Sequence, residues 1–249
     1  MDGLLLPLDL ADWGLLFAGA VLAGVVRGFA GFGTGMIFLP FAGRVLDPFV
    51  ALTVLMVMDL FGPLPLLPRA LRDGQMTDVR RLVTGLVIAL PIGLWVLTYF
   101  PPEVFRTGVS LIALVMLVAL VGGWRYRGRV SPGGIYATGA AGGFLGGVSG
   151  LPGPPVILFY MASPHGPAVI RANTLLYLII ADLVTLIALW VGGLLVFGAL
   201  LTGLAVMLPY MSANLLGAAI FQPEAEGRYR AAAYLIIAAS ALGGLPIWD

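Results

Sequence analysis

The chain has no cysteine, no lysine and a single histidine, His165. Without cysteine there are no disulfides, no thiol catalysis and no thiolate metal sites. One histidine and no H-E-x-x-H pattern leave little to hold a metal, so neither a metal nor a cofactor is expected. Charge is scarce as well. Charged residues fill 10 % of the 249 positions, against roughly 25 % in a soluble domain. A nucleic-acid partner is not expected. The first residues carry no basic stretch and no A-x-A-like cleavage site, so no cleaved signal is read. Asp2, Asp9 and Asp12 precede the first apolar run instead.

What the chain does have is hydrophobic length. It is 60 % hydrophobic, with a mean hydropathy of +1.05. Apolar stretches of about 20 residues, enough to cross a hydrocarbon core of about 30 Å, recur from end to end. The runs are continuous rather than alternating, which argues against a β-barrel. The reading is an all-α polytopic protein whose solvent is the lipid bilayer. Its apolar segments cover 13–45 (broken at 28–35), 48–67, 79–100 and 104–123. After a basic loop from Arg125 to Arg129 come 133–162 (broken at 143–155), 167–190, 195–220 and 230–247.

The two breaks are the most informative feature. Gly28-Phe29-Ala30-Gly31-Phe32-Gly33-Thr34-Gly35 and Gly143-Phe144-Leu145-Gly146-Gly147-Val148-Ser149-Gly150 each have a proline twelve residues after the first glycine, Pro40 and Pro155. Other features repeat in the same order. Met58-Asp59-Leu60 resembles Ala181-Asp182-Leu183, Leu90-Pro91 matches Leu208-Pro209, and Phe100-Pro101-Pro102-Glu103 parallels Phe221-Gln222-Pro223-Glu224. The expected layout is two repeated halves, 1–126 and 127–249, each with one Gly/Pro-broken segment and three transmembrane helices. Paired interrupted segments of this kind point to the substrate site of a secondary transporter.

Topology follows from the arginines. If all eight segments cross, the loop arginines split seven to five. If the broken segments are re-entrant hairpins, they split ten to two, with Arg44 and Arg106 alone on the side of the termini. Basic loops favour the cytoplasm. The second arrangement places the basic loops inside, both termini outside, and the halves inverted; a broken helix that crosses is the alternative.

A helix is not expected to pass undisturbed through Gly28–Gly35 or Gly143–Pro155, where glycine costs about 1 kcal/mol and proline about 3 kcal/mol per position. Freed backbone groups at membrane depth must be buried in protein or line a watery cavity. The helix restarting after each break offers unpaired N–H groups and about half a positive charge. Two such ends facing each other make an anion site of backbone. Pro154 and Pro155 suit a first helical turn, and Thr34 and Ser149 can add hydroxyls. Arg27, directly before the first break, is a functional residue by default at membrane depth; it can pair with an anion, with Asp59 or with Asp182, or snorkel to water. Asp59 and Asp182 sit midway along their segments and should be protonated or paired. They are candidates for proton coupling or fixed structural partners. Tyr210, Ser212 and Asn214 follow Pro209 and line a pathway or satisfy broken backbone. His165, beside Pro164 and Gly166, reads as an ordinary interfacial residue. The pairs Gly19/Gly24, Gly139/Gly143, Gly192/Gly193 and Gly243/Gly244 read as helix packing, and exposed glycine stripes permit a homodimer.

The stretch Gly150-Leu151-Pro152-Gly153-Pro154-Pro155-Val156-Ile157-Leu158-Phe159-Tyr160, followed by Arg171-Ala172-Asn173-Thr174, resembles the TauE/SafE family of sulfite exporter-like permeases, and the resemblance extends over the whole two-half layout. The first break departs from the family's longer glycine cluster at Phe32, Thr34 and Met36. The resemblance implies a multi-pass permease of the bacterial inner membrane for small sulfur oxoanions, organosulfonates or other small anions, and not an enzyme. The expected substrate-binding residues are Arg27, Gly31, Gly33, Thr34, Gly35, Gly147, Ser149, Gly150, Pro152, Gly153, Arg171, Asn173 and Thr174, with Asp59 and Asp182 as coupling candidates. A passive anion channel and a non-transporting membrane scaffold are the alternatives.

Overall fold

A computed structural model describes residues 5–123, 131–160, 163 and 165–247. Asp2, Pro164 and the basic loop Arg125–Arg129 lie outside the described residues. The described chain is helical, with no strand. Its helices are α1 (Leu10–Ala30), α2 (Thr34–Ala42), α3 (Pro48–Phe61), α4 (Leu67–Asp73), α5 (Met76–Leu97), α6 (Pro102–Val121), α7 (Pro132–Ser149), α8 (Gly153–Tyr160), α9 (Pro167–Val191), α10 (Phe197–Ile220) and α11 (Glu226–Gly244). Five of them, α1, α5, α6, α9 and α10, are each long and apolar enough to cross a membrane, and α3 and α4, bent by 43° at their junction, would add a sixth if taken together as one span. The bend falls at Gly62-Pro63 and extends the expected 48–67 segment to Asp73. Proline there removes an N–H and clashes with the preceding turn. Asp9 opens α1 with a capping box, its carboxylate accepting from the Asp12 N–H at 2.7 Å.

Both broken segments turn back on themselves. Gly19 of α1 packs against Phe41 of α2, where a Cβ would come within 3.0 Å, so α2 runs antiparallel to α1. Likewise Phe159 of α8 returns beside Gly134 of α7, 3.7 Å from the position of a Cβ there. The two hairpins approach from opposite ends of α5. The end of the first, at Gly43, lies against Arg106 near the start of α6, the helix that follows the C-terminal end of α5. The end of the second, at His165, touches Asp78 in the first turn of α5, 3.2 Å away. Arg44 and Arg106 therefore share one end of the bundle with the start of α1 and the end of α11. Arg69, Arg72, Arg80, Arg81, Arg171, Arg228 and Arg230 lie at the other.

The breaks are narrower than expected from the sequence. Only 31–33 and 150–152 leave the helix, each opened by a glycine in the left-handed region, Gly31 at φ 77° and Gly150 at φ 72°. Gly28 stays helical, and so do Gly143 to Ser149. Their helical cost is offset by close approach. A Cβ on Gly143 would fall 2.6 Å from Leu86 O, and one on Gly147 2.6 Å from Leu94 N, so α7 lies backbone to backbone on α5. Gly24 and Gly28 bring α1 equally close to α10. Gly19/Gly24 and Gly139/Gly143 are thus packing glycines. The other two pairs differ. Gly192 and Gly193 end α9, Gly193 with φ 66°, and Gly243 meets nothing within 4 Å, whereas Gly244 abuts Pro40 and Ser110.

The prolines matched by spacing are not structural equivalents. Pro155 lies in the first turn of α8, as expected, but Pro40 lies near the end of α2. Gly147 sits against Leu90, Gly93 and Leu94, and Gly28 against Asn214, Gly217 and Ala218. Pro91 follows Leu90 directly, while Pro209 precedes Asn214 by five residues, so they stand at different heights along the two crossings.

Candidate anion site

The tips of the two hairpins meet inside the bundle. A Cβ on Gly35 would fall 2.8 Å from the Leu151 side chain, and one on Gly150 would fall 2.8 Å from that of Leu39. Beside this contact is a cavity of about 50 Å³, room on the order of three or four waters or one small oxoanion. Its polar wall holds Arg27, Gly33, Thr34, Gly35, Asp59, Gly150, Pro152, Gly153 and Asp182. Phe32, Met36, Leu55, Met56, Leu151, Ile157 and Leu178 supply the apolar wall.

One side of the cavity is densely bonded. Arg27 reaches Asp59 at 4.0 Å. The other oxygen of Asp59 accepts from the Tyr210 hydroxyl and, at 3.3 Å, from Thr34 Oγ1. Thr34 Oγ1 and the Tyr210 hydroxyl are themselves 3.3 Å apart. This network joins α1, the start of α2, α3 and α10. Asp182, on α9, is 5 % exposed, lines the same cavity and accepts no hydrogen bond among the described residues.

The two helix starts differ as donors. Gly33 caps α2 at φ 100° with no side-chain hydrogen bond. The first turn of α2 therefore leaves the N–H groups of Thr34, Gly35 and Met36 without helical partners, while the Ile37 N–H already donates to Gly33 O at 3.1 Å. At α8 the sequence Pro152-Gly153-Pro154-Pro155 offers a single N–H, that of Gly153, because proline has none. Both ends carry the helix dipole, but hydrogen-bond donation comes mainly from α2 and Arg27.

The remaining candidates lie outside the cavity lining. Gly31 is an exposed cap with nothing within 4 Å of a Cβ, and Gly147 packs on α5. Ser149 spends its hydroxyl on Leu145 O at 2.7 Å. Arg171 is exposed and Thr174 half-buried at the start of α9. Asn173 is a tie at the base of the second hairpin. Its Oδ1 accepts from the Gln75 N–H at 2.7 Å, and its Nδ2 donates to the Tyr160 hydroxyl at 2.9 Å. His165 and Arg81 both contact Asp78 in the same region, each at 3.2 Å. Of the residues after Pro209, Tyr210 joins the network, Asn214 lies at the crossing with Gly28, and Ser212 donates back to Leu208 O. The apolar wall went unread in the sequence, although Phe32, Met36 and Leu151 directly flank the break glycines. No group of three or more His, Asp or Glu among the described residues could hold a metal.

Residues 16–243 match the family described as sulfite exporter TauE/SafE. A relative from Cupriavidus necator, described as a probable sulfite/organosulfonate exporter TauE, is 30 % identical over 202 residues, covering 77 % of this chain and 75 % of that protein. No solved structure matches the chain. A polytopic helical bundle with paired glycine breaks beside a shared cavity thus has its sequence counterpart, and the chain belongs to the sulfite exporter TauE/SafE family.

Proposed function

We propose that this chain is a secondary transporter that carries small sulfur oxoanions or organosulfonates out of the cell, and that the cavity at the hairpin tips is its substrate site. The observation that carries the reading is the convergence of Arg27, the uncapped start of α2 and both breaks on a volume of about 50 Å³. An oxoanion there would meet the Thr34, Gly35 and Met36 N–H groups, the guanidinium and two helix dipoles. Export as the direction is carried over from the description of the Cupriavidus necator relative.

The ends of the bundle support an orientation with the Arg69–Arg81 end in the cytoplasm and both termini outside, since basic loops favour the cytoplasmic face of the bacterial inner membrane. Hairpins entering from opposite ends support inverted repeats, and alternating access would then rock the two halves about the fixed cavity. Any coupling to protons would run through the cavity carboxylates, for which Asp59 and Asp182 are the two candidates.

The test is flux. Purified protein in liposomes should move a labelled organosulfonate saturably, with sulfite competing. Flux that rises linearly with concentration would make the protein a channel, and no flux for any small oxoanion would end the transporter reading.

A further inference from the structure

The two cavity carboxylates have unequal surroundings. Asp59 is engaged by Arg27, Thr34 and Tyr210. The positions that would serve Asp182 in the same way carry none of these groups. Four residues before the cap glycine, Arg27 has Gly146 as its counterpart. At the first helical position after the break, Thr34 has Gly153. At the helix crossing seven residues before the cap, where Gly24 meets Tyr210, Gly143 meets Leu86. Asp182 is left buried, facing the cavity, with no donor among the described residues.

We propose that Asp182 is the proton-carrying carboxyl of the site, taking up one proton from water as the anion binds, while Asp59 is the fixed counter-ion that positions Arg27. The inference rests on the anion-site reading above. An ionised Asp182 would present a second negative charge to an anion in a small cavity with no cation of its own beside it. The neutral acid removes that repulsion and can donate a hydrogen bond to the anion. Anion affinity and protonation of Asp182 are then linked reciprocally. The charged and titratable groups in electrostatic reach are Asp59 on α3 and Arg27 on α1, with Tyr210 of α10 bonded to Asp59. α5 beyond Arg81, and the chain between Tyr136 and Tyr160 through α7 and α8, bring no other ionisable side chain to this level; Tyr177 of α9 donates its hydroxyl to Gly139 O, and Arg69, Arg72 and Asp73 of α4 lie beside the start of α9.

The experiment measures calorimetric affinity for methanesulfonate, an anion that does not itself titrate near neutrality, against pH for the wild type, Asp182→Asn and Asp59→Asn. Wild-type affinity should be flat at low pH and fall by up to about tenfold per pH unit once Asp182 ionises. Asp182→Asn should bind with the wild type's low-pH affinity at every pH. Asp59→Asn should bind weakly but keep the pH dependence. A pH-indicator dye should report one proton taken up per anion by the wild type at a pH where Asp182 is ionised, which stands even if Asp182→Asn fails to fold. Wild-type pH dependence retained in Asp182→Asn, absence of proton uptake, or affinity that follows sodium on exchange for choline would overturn the assignment. Wild-type protein that binds methanesulfonate at no pH would overturn the anion-site reading itself.

Discussion

The Tyr210 hydroxyl donates to Asp59 across 151 positions of sequence, and Thr34 Oγ1 stands 3.3 Å from both. Tyr210 thereby helps neutralise a carboxylate that would otherwise draw Arg27 more strongly to itself. In Tyr210→Phe that donor is gone. A hydrogen bond to a charged group is worth about 1.5–3 kcal/mol, so anion affinity should drop by about tenfold or more while the protein remains folded. Calorimetry with methanesulfonate checks this; unchanged affinity would remove the network from the binding function.

Arginines at the two depths should behave differently. Arg27→Ala removes the guanidinium in the cavity and should abolish measurable anion binding. Arg171→Ala changes an exposed residue at the start of α9 and should leave affinity within about twofold, as surface substitutions usually have little effect. Asn173→Ala breaks the tie to Gln75 and Tyr160. It should lower the melting temperature in detergent without changing affinity at a temperature where the protein is folded. A large loss of affinity in Arg171→Ala would put substrate contacts at the hairpin base.

Glycine substitutions separate conformation from packing. Gly147→Leu places side-chain atoms where a Cβ already comes within 2.8 Å of Gly93 C. It should push α7 off α5 and prevent recovery of monodisperse protein, a cost of several kcal/mol in the range of severe overpacking. Gly31→Ala meets open space but must hold φ 77°, costing about 1 kcal/mol, and should fold with a small drop in melting temperature. Monodisperse Gly147→Leu protein that has lost only anion binding would make Gly147 a site residue after all.

The cysteine-free chain allows labelling without background. Arg72→Cys and Arg171→Cys should react with an impermeant maleimide from the cytoplasmic side only, and Leu10→Cys and Glu103→Cys from the outer side only. All four native residues are exposed. Reaction of Leu10→Cys and Arg72→Cys from the same side would reject the proposed orientation.

The helices were legible because apolar length is a one-dimensional property. The residues at 167–190 and 195–220 form helices at 167–191 and 197–220. The extent of the breaks was not legible, because glycine serves two ends. At Gly31, Gly33 and Gly150 it permits a positive φ, whereas at Gly28, Gly143 and Gly147 it permits a neighbouring backbone to approach. Only the partner helix distinguishes these uses. In the cavity, Arg27, Asp59 and Asp182 stood out because charge is rare at that depth. The unequal treatment of the two carboxylates did not, since it depends on Tyr210 from a distant helix. Asn173 illustrates the converse: it sits in a family-like motif, yet its amide bonds the hairpin base.

The glycine-lined crossings pair α1 with α10 and α7 with α5. Each long hairpin arm therefore docks on a helix encoded in the opposite half of the chain. Neither half encloses its own core, and a fragment holding α1 to α6 would present two naked backbone grooves to lipid. These two crossings bind the first and second parts of the chain into one bundle. During synthesis, α1 (Leu10–Ala30) is made long before its partner α10 (Phe197–Ile220) and must wait for it in the membrane.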